Sequence, residues 1–255
     1  MLKQIPNLFT LLNLVFGCMA IVVTLQNGII IQYSPDGSQL VEIPEKIAWA
    51  SIYIGMAGVV DFLDGFVARL FKATSPMGKQ LDSLADVVSF GVAPAMIIYQ
   101  FLRMSLAREE DGLNTSIIWL VPAFILAAAS AWRLAKFNLD ESQAYGFKGV
   151  PTPAMGLLVA SIPLIYWNND STLVNEILLN KWFLYGIVLL LSALMVSNLP
   201  LMALKFKDFS LKNNLPKIIL VLIAIVAAWL FQWLAVPLVF LAYIVLSLVF
   251  KQEQT

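Results

Sequence analysis

Residues 61–86 read DFLDGFVARLFKATSPMGKQLDSLAD. Four aspartates stand in this stretch, Asp61, Asp64, Asp82 and Asp86, with Gly65, Ala68, Arg69 and Gly78 between them. Apolar sequence of membrane-spanning length flanks it on both sides. An ionised side chain at the bilayer centre costs about 3 kcal/mol on insertion scales, so four near one another need a compensating ligand. Divalent metal is the simplest such ligand, and metal at a membrane points to chemistry on a lipid headgroup.

Asp61 and Asp64 are three residues apart, and Asp82 and Asp86 are four apart. Both spacings put a pair on one helix face. The stretch therefore predicts the adjoining ends of two antiparallel helices, joined by a turn over residues 71–79, with the carboxylates facing one another. An all-oxygen site of this kind suits Mg²⁺ or Mn²⁺. Four carboxylates can hold two such ions near neutrality, the arrangement used for in-line phosphoryl displacement. Gly65 lets a bulky group approach the backbone, and Gly78 and Gly91 can do the same on the partner helix. Arg69, one turn beyond, can pair with phosphate in bidentate fashion. The aspartates by themselves also fit a structural carboxylate–arginine network or a cation pathway.

The chain has 255 residues, of which 60% are hydrophobic and 13% charged. A soluble domain carries roughly a quarter charged residues, so this composition is that of an integral membrane protein. The net charge is zero, which implies no bulk attraction to nucleic acid. The single cysteine, Cys18, excludes an intrachain disulfide and reads as lipid-facing or packed. There is no histidine. A histidine base, a histidine metal ligand and a Ser-His-Asp triad are thereby excluded, and the proton acceptor is a carboxylate or a rarer group.

A spanning helix needs about 20 mostly apolar residues. Candidate spans are 8–26, 46–71, 82–104, 116–138, 153–168, 182–204, 217–232 and 235–250, which predicts an all-α polytopic bundle of about eight transmembrane helices. The last two are joined only by 232–235 and read as a tight hairpin or a partly re-entrant pair. The span 153–168 is short and contains Pro163. The first apolar run has polar residues inside it and no clear stop, so it reads as a retained span rather than a signal peptide.

With the N-terminus in the cytoplasm, four of the sixteen Lys and Arg residues fall outside: Lys46, Arg103, Arg108 and Lys181. The other twelve fall on cytoplasmic segments or helix ends, and Asp36, Glu42, Glu45, Glu109, Glu110, Asp111, Asp170 and Glu176 make the outer loops acidic. This bias predicts that the aspartates open to the cytoplasm. The longest loops are 27–45, with a turn-like Ser34 to Gly37, and 139–152. Trp49, Trp119, Trp167, Trp182, Trp229 and Trp233 lie near span ends and read as interfacial anchors. Asn13, Ser89 and Asn198 are candidates for hydrogen bonds between helices.

The pattern Asp61-x2-Asp64-Gly65-x2-Ala68-Arg69-x8-Gly78-x3-Asp82-x3-Asp86 resembles the signature of the CDP-alcohol phosphatidyltransferases, with all eight defining positions at the family spacing. The resemblance implies a six-helix family core within residues 1–210, with 211–255 as a C-terminal hairpin of the same unit. It implies CDP-diacylglycerol as substrate, two divalent metals (Mg²⁺ or Mn²⁺), and CMP as leaving group. By the same resemblance Asp61 and Asp82 bridge both metals, Asp64 binds one, and Asp86 binds the other and takes the proton of the attacking hydroxyl. Gly65 and Arg69 are implied to contact the nucleotide and its phosphates, with Gly78 beside them. Asn7-Leu-Phe-Thr10 looks like the family's N-terminal Asn-x2-Thr element, expected near the cytidine or pyrophosphate, and Ser75 falls where a small hydroxyl residue lies close to the diphosphate.

The acceptor is suggested by other segments. Arg133 to Asn138 and Phe147 to Ala154 resemble the branch of the family that transfers to serine, as do Leu194 to Ser197, Lys205 to Lys207 and Ile5 to Asn13. L-serine brings a carboxylate that Arg133 and Lys148 can hold, and Asn138 can bind either of its charged groups. Arg133 and Lys136 also fit positive-inside anchoring. Pro151 and Pro153 can simply cap the fifth span. Lys205, Lys207, Lys212 and Lys217 suit anionic lipid headgroups. The alternatives are glycerol phosphate or inositol phosphate as acceptor, or a divalent-cation transporter. By resemblance the chain is expected to be a homodimer in a bacterial inner membrane.

Overall fold

The computed structural model describes residues 5–26, 28, 30–33, 39–42, 45–71, 75–109, 114–139, 147–202 and 211–250. The turn expected at Ser34 to Gly37, and Lys3, Asp36, Lys72, Glu110, Asp111, Gly146, Lys205, Lys207 and Lys251, lie outside the described residues, as does the side chain of Lys212.

Ten helices carry the described fold: α1 (Ile5–Gln26), α2 (Ile47–Leu70), α3 (Pro76–Asp86), α4 (Ala93–Ala107), α5 (Ile125–Leu139), α6 (Thr152–Asn168), α7 (Thr172–Leu178), α8 (Lys181–Val196), α9 (Leu211–Phe231) and α10 (Ala235–Val249). Two short antiparallel ladders accompany them. β1 (Ile30–Tyr33) pairs with β2 (Gln39–Glu42), within the long loop 27–45. β3 (Phe147–Lys148) pairs with β4 (Pro200–Leu201).

The all-α membrane bundle holds, while the spans divide differently from the expected eight. Among the described residues, five helical stretches are long and apolar enough to cross a membrane: 6–26, 47–70, 76–107, 117–139 and 214–249. A sixth is formed if α7 and α8, bent by 64° at their junction, count as one span. α6 has 17 residues and so reaches about 25 Å, a little short of the roughly 30 Å hydrocarbon layer. The 36 residues of 214–249 are far longer than one span. They break at 232–234, where Gln232 takes φ +49°, and α9 and α10 pack against one another as the expected hairpin. α8 stops at Val196, short of the expected 204, because the chain after it turns into β4.

Two local features place the functional groups. The first is the start of α3. Ser75 is extended, its Oγ accepts from the Gly78 N–H at 3.0 Å, and Pro76 occupies the first turn. A hydroxyl cap followed by proline fixes where the helix begins, and hence the register of Asp82 and Asp86. The second is a π-helical segment, Val87–Val92, that joins α3 to α4 directly after Asp86. Such wide turns often mark functional sites. Here the helix is met at very short range by α1: a Cβ added at Gly17 would stand 2.4 Å from Ser89 Oγ. Ser89 Oγ also donates to the Asn13 carbonyl at 3.0 Å.

α4 is the central element, with Ile97, Ile98, Phe101 and Leu102 fully buried among residues of α2, α6 and α8. The six tryptophans expected at interfaces are all exposed, from 37% at Trp167 to 84% at Trp229. Cys18 is exposed on α1, in keeping with a lipid-facing position.

Candidate active site

The C-terminal part of α2 and the C-terminal half of α3 deliver the aspartates. Carboxylate oxygens of Asp61, Asp64 and Asp82 all lie within 4.8 Å of one another. Asp86, one turn further along α3 and only 6% exposed, neighbours Asp61 and Asp82. Among the described residues no lysine or arginine forms an ion pair with any of the four. Anionic groups packed this closely with no ion-paired cation among the described residues favour a bound positive partner, and an all-oxygen set is the chemistry of a hard divalent ion. The donor set thus fits Mg²⁺ or Mn²⁺, with Asp61, Asp64 and Asp82 as the compact group.

α1 supplies the hydrogen bonds that orient these carboxylates. Thr10 Oγ1 donates to Asp64 Oδ2 at 2.7 Å. Asn13 Nδ2 donates to Asp86 Oδ1 at 3.3 Å. Both residues are buried, and Asn13 Oδ1 has no protein partner. Such outer contacts hold metal-binding carboxylates in one orientation. Thr10 was expected to face a nucleotide, and it does line the adjoining cavity, but its hydroxyl is given to Asp64 and to the Pro6 carbonyl.

That cavity, about 510 Å³, is walled by Asn7 and Thr10 of α1, Asp64 and Gly65 of α2, the cap residue Ser75, and Gly78 and Asp82 of α3. Five of the six residues expected to contact a CDP group therefore meet around one space. At Gly65 a Cβ would meet only Arg69 Nη1, at 3.6 Å, so the backbone is open to the cavity. At Gly78 it would press on Asn7 Oδ1 and Ser75 Oγ, both at 3.1 Å. The sixth residue, Arg69, is exposed on the last turn of α2 beside the cavity rather than in its wall. Gly91, expected to admit a bulky group, instead lets α5 approach: a Cβ there would stand 2.9 Å from Ser130 Cβ.

Residues 3–203 match the family model described as CDP-alcohol phosphatidyltransferase. The chain belongs to the CDP-alcohol phosphatidyltransferase family. The match ends before α9. Among curated relatives, the CDP-diacylglycerol–serine O-phosphatidyltransferase of Helicobacter pylori strain J99 is 34% identical over 221 residues, 86% of this chain and 78% of that protein. The protein of the same name from Bacillus subtilis is 31% identical over 165 residues, 65% of this chain and 78% of its own. That of Mycobacterium tuberculosis is 31% identical over 258 residues, covering 95% of this chain and 76% of its own.

On this phosphatidyltransferase scaffold the three residues expected at the acceptor separate. Arg133, on α5, is 7% exposed, with Nη1 donating to Thr152 Oγ1 at 3.2 Å and its guanidinium 5.9 Å from the Phe137 ring centre. Its Nε is buried without a protein partner. Arg133 and Lys148 line one small cleft with Lys136, Phe137 and Ser197. Asn138 lies elsewhere, against α3: its Nδ2 donates to Ser83 Oγ at 2.8 Å and its carbonyl accepts from Lys79 Nζ at 3.2 Å. Lys136 Nζ donates to Asn198 Oδ1 at 2.9 Å. Sequence reasoning did not identify Thr152, Ser83 or Lys79. Thr152 sits inside the Pro-Thr-Pro run already singled out for its prolines, which was the available signal.

Proposed function

We propose that this chain transfers the phosphatidyl group of CDP-diacylglycerol to L-serine, giving phosphatidylserine and CMP. The observation that carries the reading is the meeting of the Asp61–Asp64–Asp82 carboxylates with the cavity walled by Asn7, Thr10, Gly65, Ser75 and Gly78, in a chain of this family. The names of the relatives support serine as the acceptor.

In this reading Asp61 and Asp82 would hold two divalent ions, Mg²⁺ or Mn²⁺, with Asp64 and Asp86 as further ligands, and ions held there would supply positive charge to the pyrophosphate and to the departing CMP. The protein's own residues do the rest. Asn7, Gly65, Arg69, Ser75 and Gly78 receive the CDP group, with Gly65 giving the phosphates access to the backbone. Thr10 and Asn13 keep Asp64 and Asp86 in their working orientation. The serine hydroxyl oxygen bonds to the lipid-side phosphorus, the phosphorus–oxygen bond to CMP breaks, and the hydroxyl proton passes to Asp86. Arg133 and Lys148 hold the serine carboxylate, while Asn138 serves by fastening α5 to α3. The aspartates open to the cytoplasm, and the enzyme works as a homodimer in a bacterial inner membrane. Residues 1–210 form the transferase unit, and 211–255 extend it.

An assay that offers serine, glycerol phosphate and inositol phosphate in turn with CDP-diacylglycerol, and follows CMP release, tests the acceptor. Serine alone should support rapid release. Release with glycerol phosphate or inositol phosphate and none with serine would transfer the enzyme to another branch of the family.

The cleft makes a narrower prediction. A hydrogen bond to a charged group contributes about 1.5–3 kcal/mol, or roughly 10- to 100-fold in affinity. Arg133→Ala and Lys148→Ala should therefore raise the KM for serine by about that factor, with the KM for CDP-diacylglycerol little changed. Equal increases in both constants would remove these residues from the serine site.

A further inference from the structure

The family match stops at residue 203, yet α10 reaches back to the acceptor side of the molecule. Two of its side chains, one helical turn apart, take both backbone polar groups of a single residue. Tyr243 Oη donates to the Met202 carbonyl at 3.0 Å. Ser247 Oγ accepts from the Met202 N–H at 3.2 Å while donating to the Tyr243 carbonyl at 2.7 Å. Both side chains are buried.

Met202 directly follows β4. In the β3–β4 ladder Phe147 stands opposite Leu201, and Lys148 opposite Pro200. A ladder of two residue pairs is too short to hold itself, and the proline removes one of its donors. The next residues are tied to the same segment: Gly149 N–H donates to the Leu199 carbonyl at 2.9 Å, and Val150 N–H to the Leu194 carbonyl at 3.1 Å. Gly149 has φ +76°, and a Cβ there would stand 2.5 Å from the Met195 carbonyl oxygen. The backbone that carries Lys148 is thus pressed onto residues 194–202, and that segment is itself anchored at one end by α10. The cleft shared by Arg133 and Lys148 is completed by Met195 to Ser197 of this same segment. Tyr243 and Ser247 do not line the cleft.

We propose that Tyr243 and Ser247 are positioning residues for the acceptor: by clamping Met202 they fix the β3–β4 ladder and so set the place of Lys148 opposite Arg133. The C-terminal hairpin then has a part in acceptor affinity as well as in membrane anchoring. This rests on the reading of the Arg133–Lys148 cleft as the serine site.

The test uses full-length protein in lipid nanodiscs, as wild type, Tyr243→Phe, Ser247→Ala, Ser247→Thr and Lys148→Ala. Amide hydrogen exchange over residues 147–150 reads the clamp without reference to activity, and the KM values for serine and CDP-diacylglycerol read its consequence. Tyr243→Phe and Ser247→Ala should speed exchange at Gly149 and Val150. Each should raise the serine KM about 5-fold, the value of one hydrogen bond, with the CDP-diacylglycerol KM unchanged. Ser247→Thr, which keeps the hydroxyl, should restore both. Unchanged exchange overturns the clamp, as does an equal rise in both KM values. Faster exchange with an unchanged serine KM overturns the positioning role if Lys148→Ala still raises that KM. If Lys148→Ala leaves it unchanged as well, the cleft reading has failed and the proposal falls with it.

Discussion

Asp86→Asn should stop turnover while CDP-diacylglycerol still binds. The chain has no histidine, so the proton of the attacking hydroxyl has few possible acceptors. Asp86 is buried and placed by Asn13. A positioned base contributes about 10²- to 10⁴-fold, and an Asn at 86 cannot take the proton. The substitution also removes one carboxylate expected to hold an ion, but it leaves Asp61, Asp64 and Asp82 in place. An amide oxygen at 86 still accepts from Asn13 Nδ2, and one negative charge leaves a crowded anionic cluster. Asp86 is also outside the wall of the 510 Å³ cavity, so the nucleotide-lipid keeps its contacts. Single-turnover CMP release and equilibrium binding of CDP-diacylglycerol, measured on the same preparation, separate the two effects. Normal turnover would reject Asp86 as the base. Lost binding would make it a ligand for the nucleotide-lipid first.

Asp61→Asn should do broader damage. Asp61 belongs to the compact three-carboxylate group and, like Asp82, also neighbours Asp86. Removing its charge weakens the hold on both expected ions. Charge stabilisation by such ions is worth several kcal/mol, which at about 1.36 kcal/mol per decade is at least 10³-fold in rate. Bound Mn²⁺, counted by metal analysis after gel filtration, should fall together with turnover. Full metal occupancy with lost activity would give Asp61 a different role.

The aspartate hairpin was legible in the sequence because its geometry is local. Spacings of three and four residues fix a helix face whatever the rest of the chain does, although the second helix begins at Pro76, inside the stretch 71–79 expected to be a turn. The pairings that orient the site were not legible, since they join residues far apart in sequence: Thr10 to Asp64, Asn13 to Asp86 and Arg133 to Thr152. Asn13 was recognised as a polar residue facing other helices, but nothing in the sequence pointed to its partner. Asn138 shows the opposite error. A polar side chain beside two cations looks like part of one binding site, yet the last turn of α5 aims it at Ser83 on α3. Span limits followed composition at both breaks: the expected start at 182 falls at the 64° bend between α7 and α8, and the expected junction 232–235 falls at the break before α10. The end of α8 at Val196 depends on the β3–β4 pairing, which two residues per strand cannot announce.

Acidic side chains from α2 and α3 are expected to share divalent ions on which the transfer depends. Metal-stripped enzyme in nanodiscs, supplied with CDP-diacylglycerol and serine while Mn²⁺ is titrated back and bound ions are counted, tests this dependence most directly. CMP release should be absent without metal and should return in step with occupancy, saturating at two Mn²⁺ per chain. Full release in the continued presence of chelator would contradict the account.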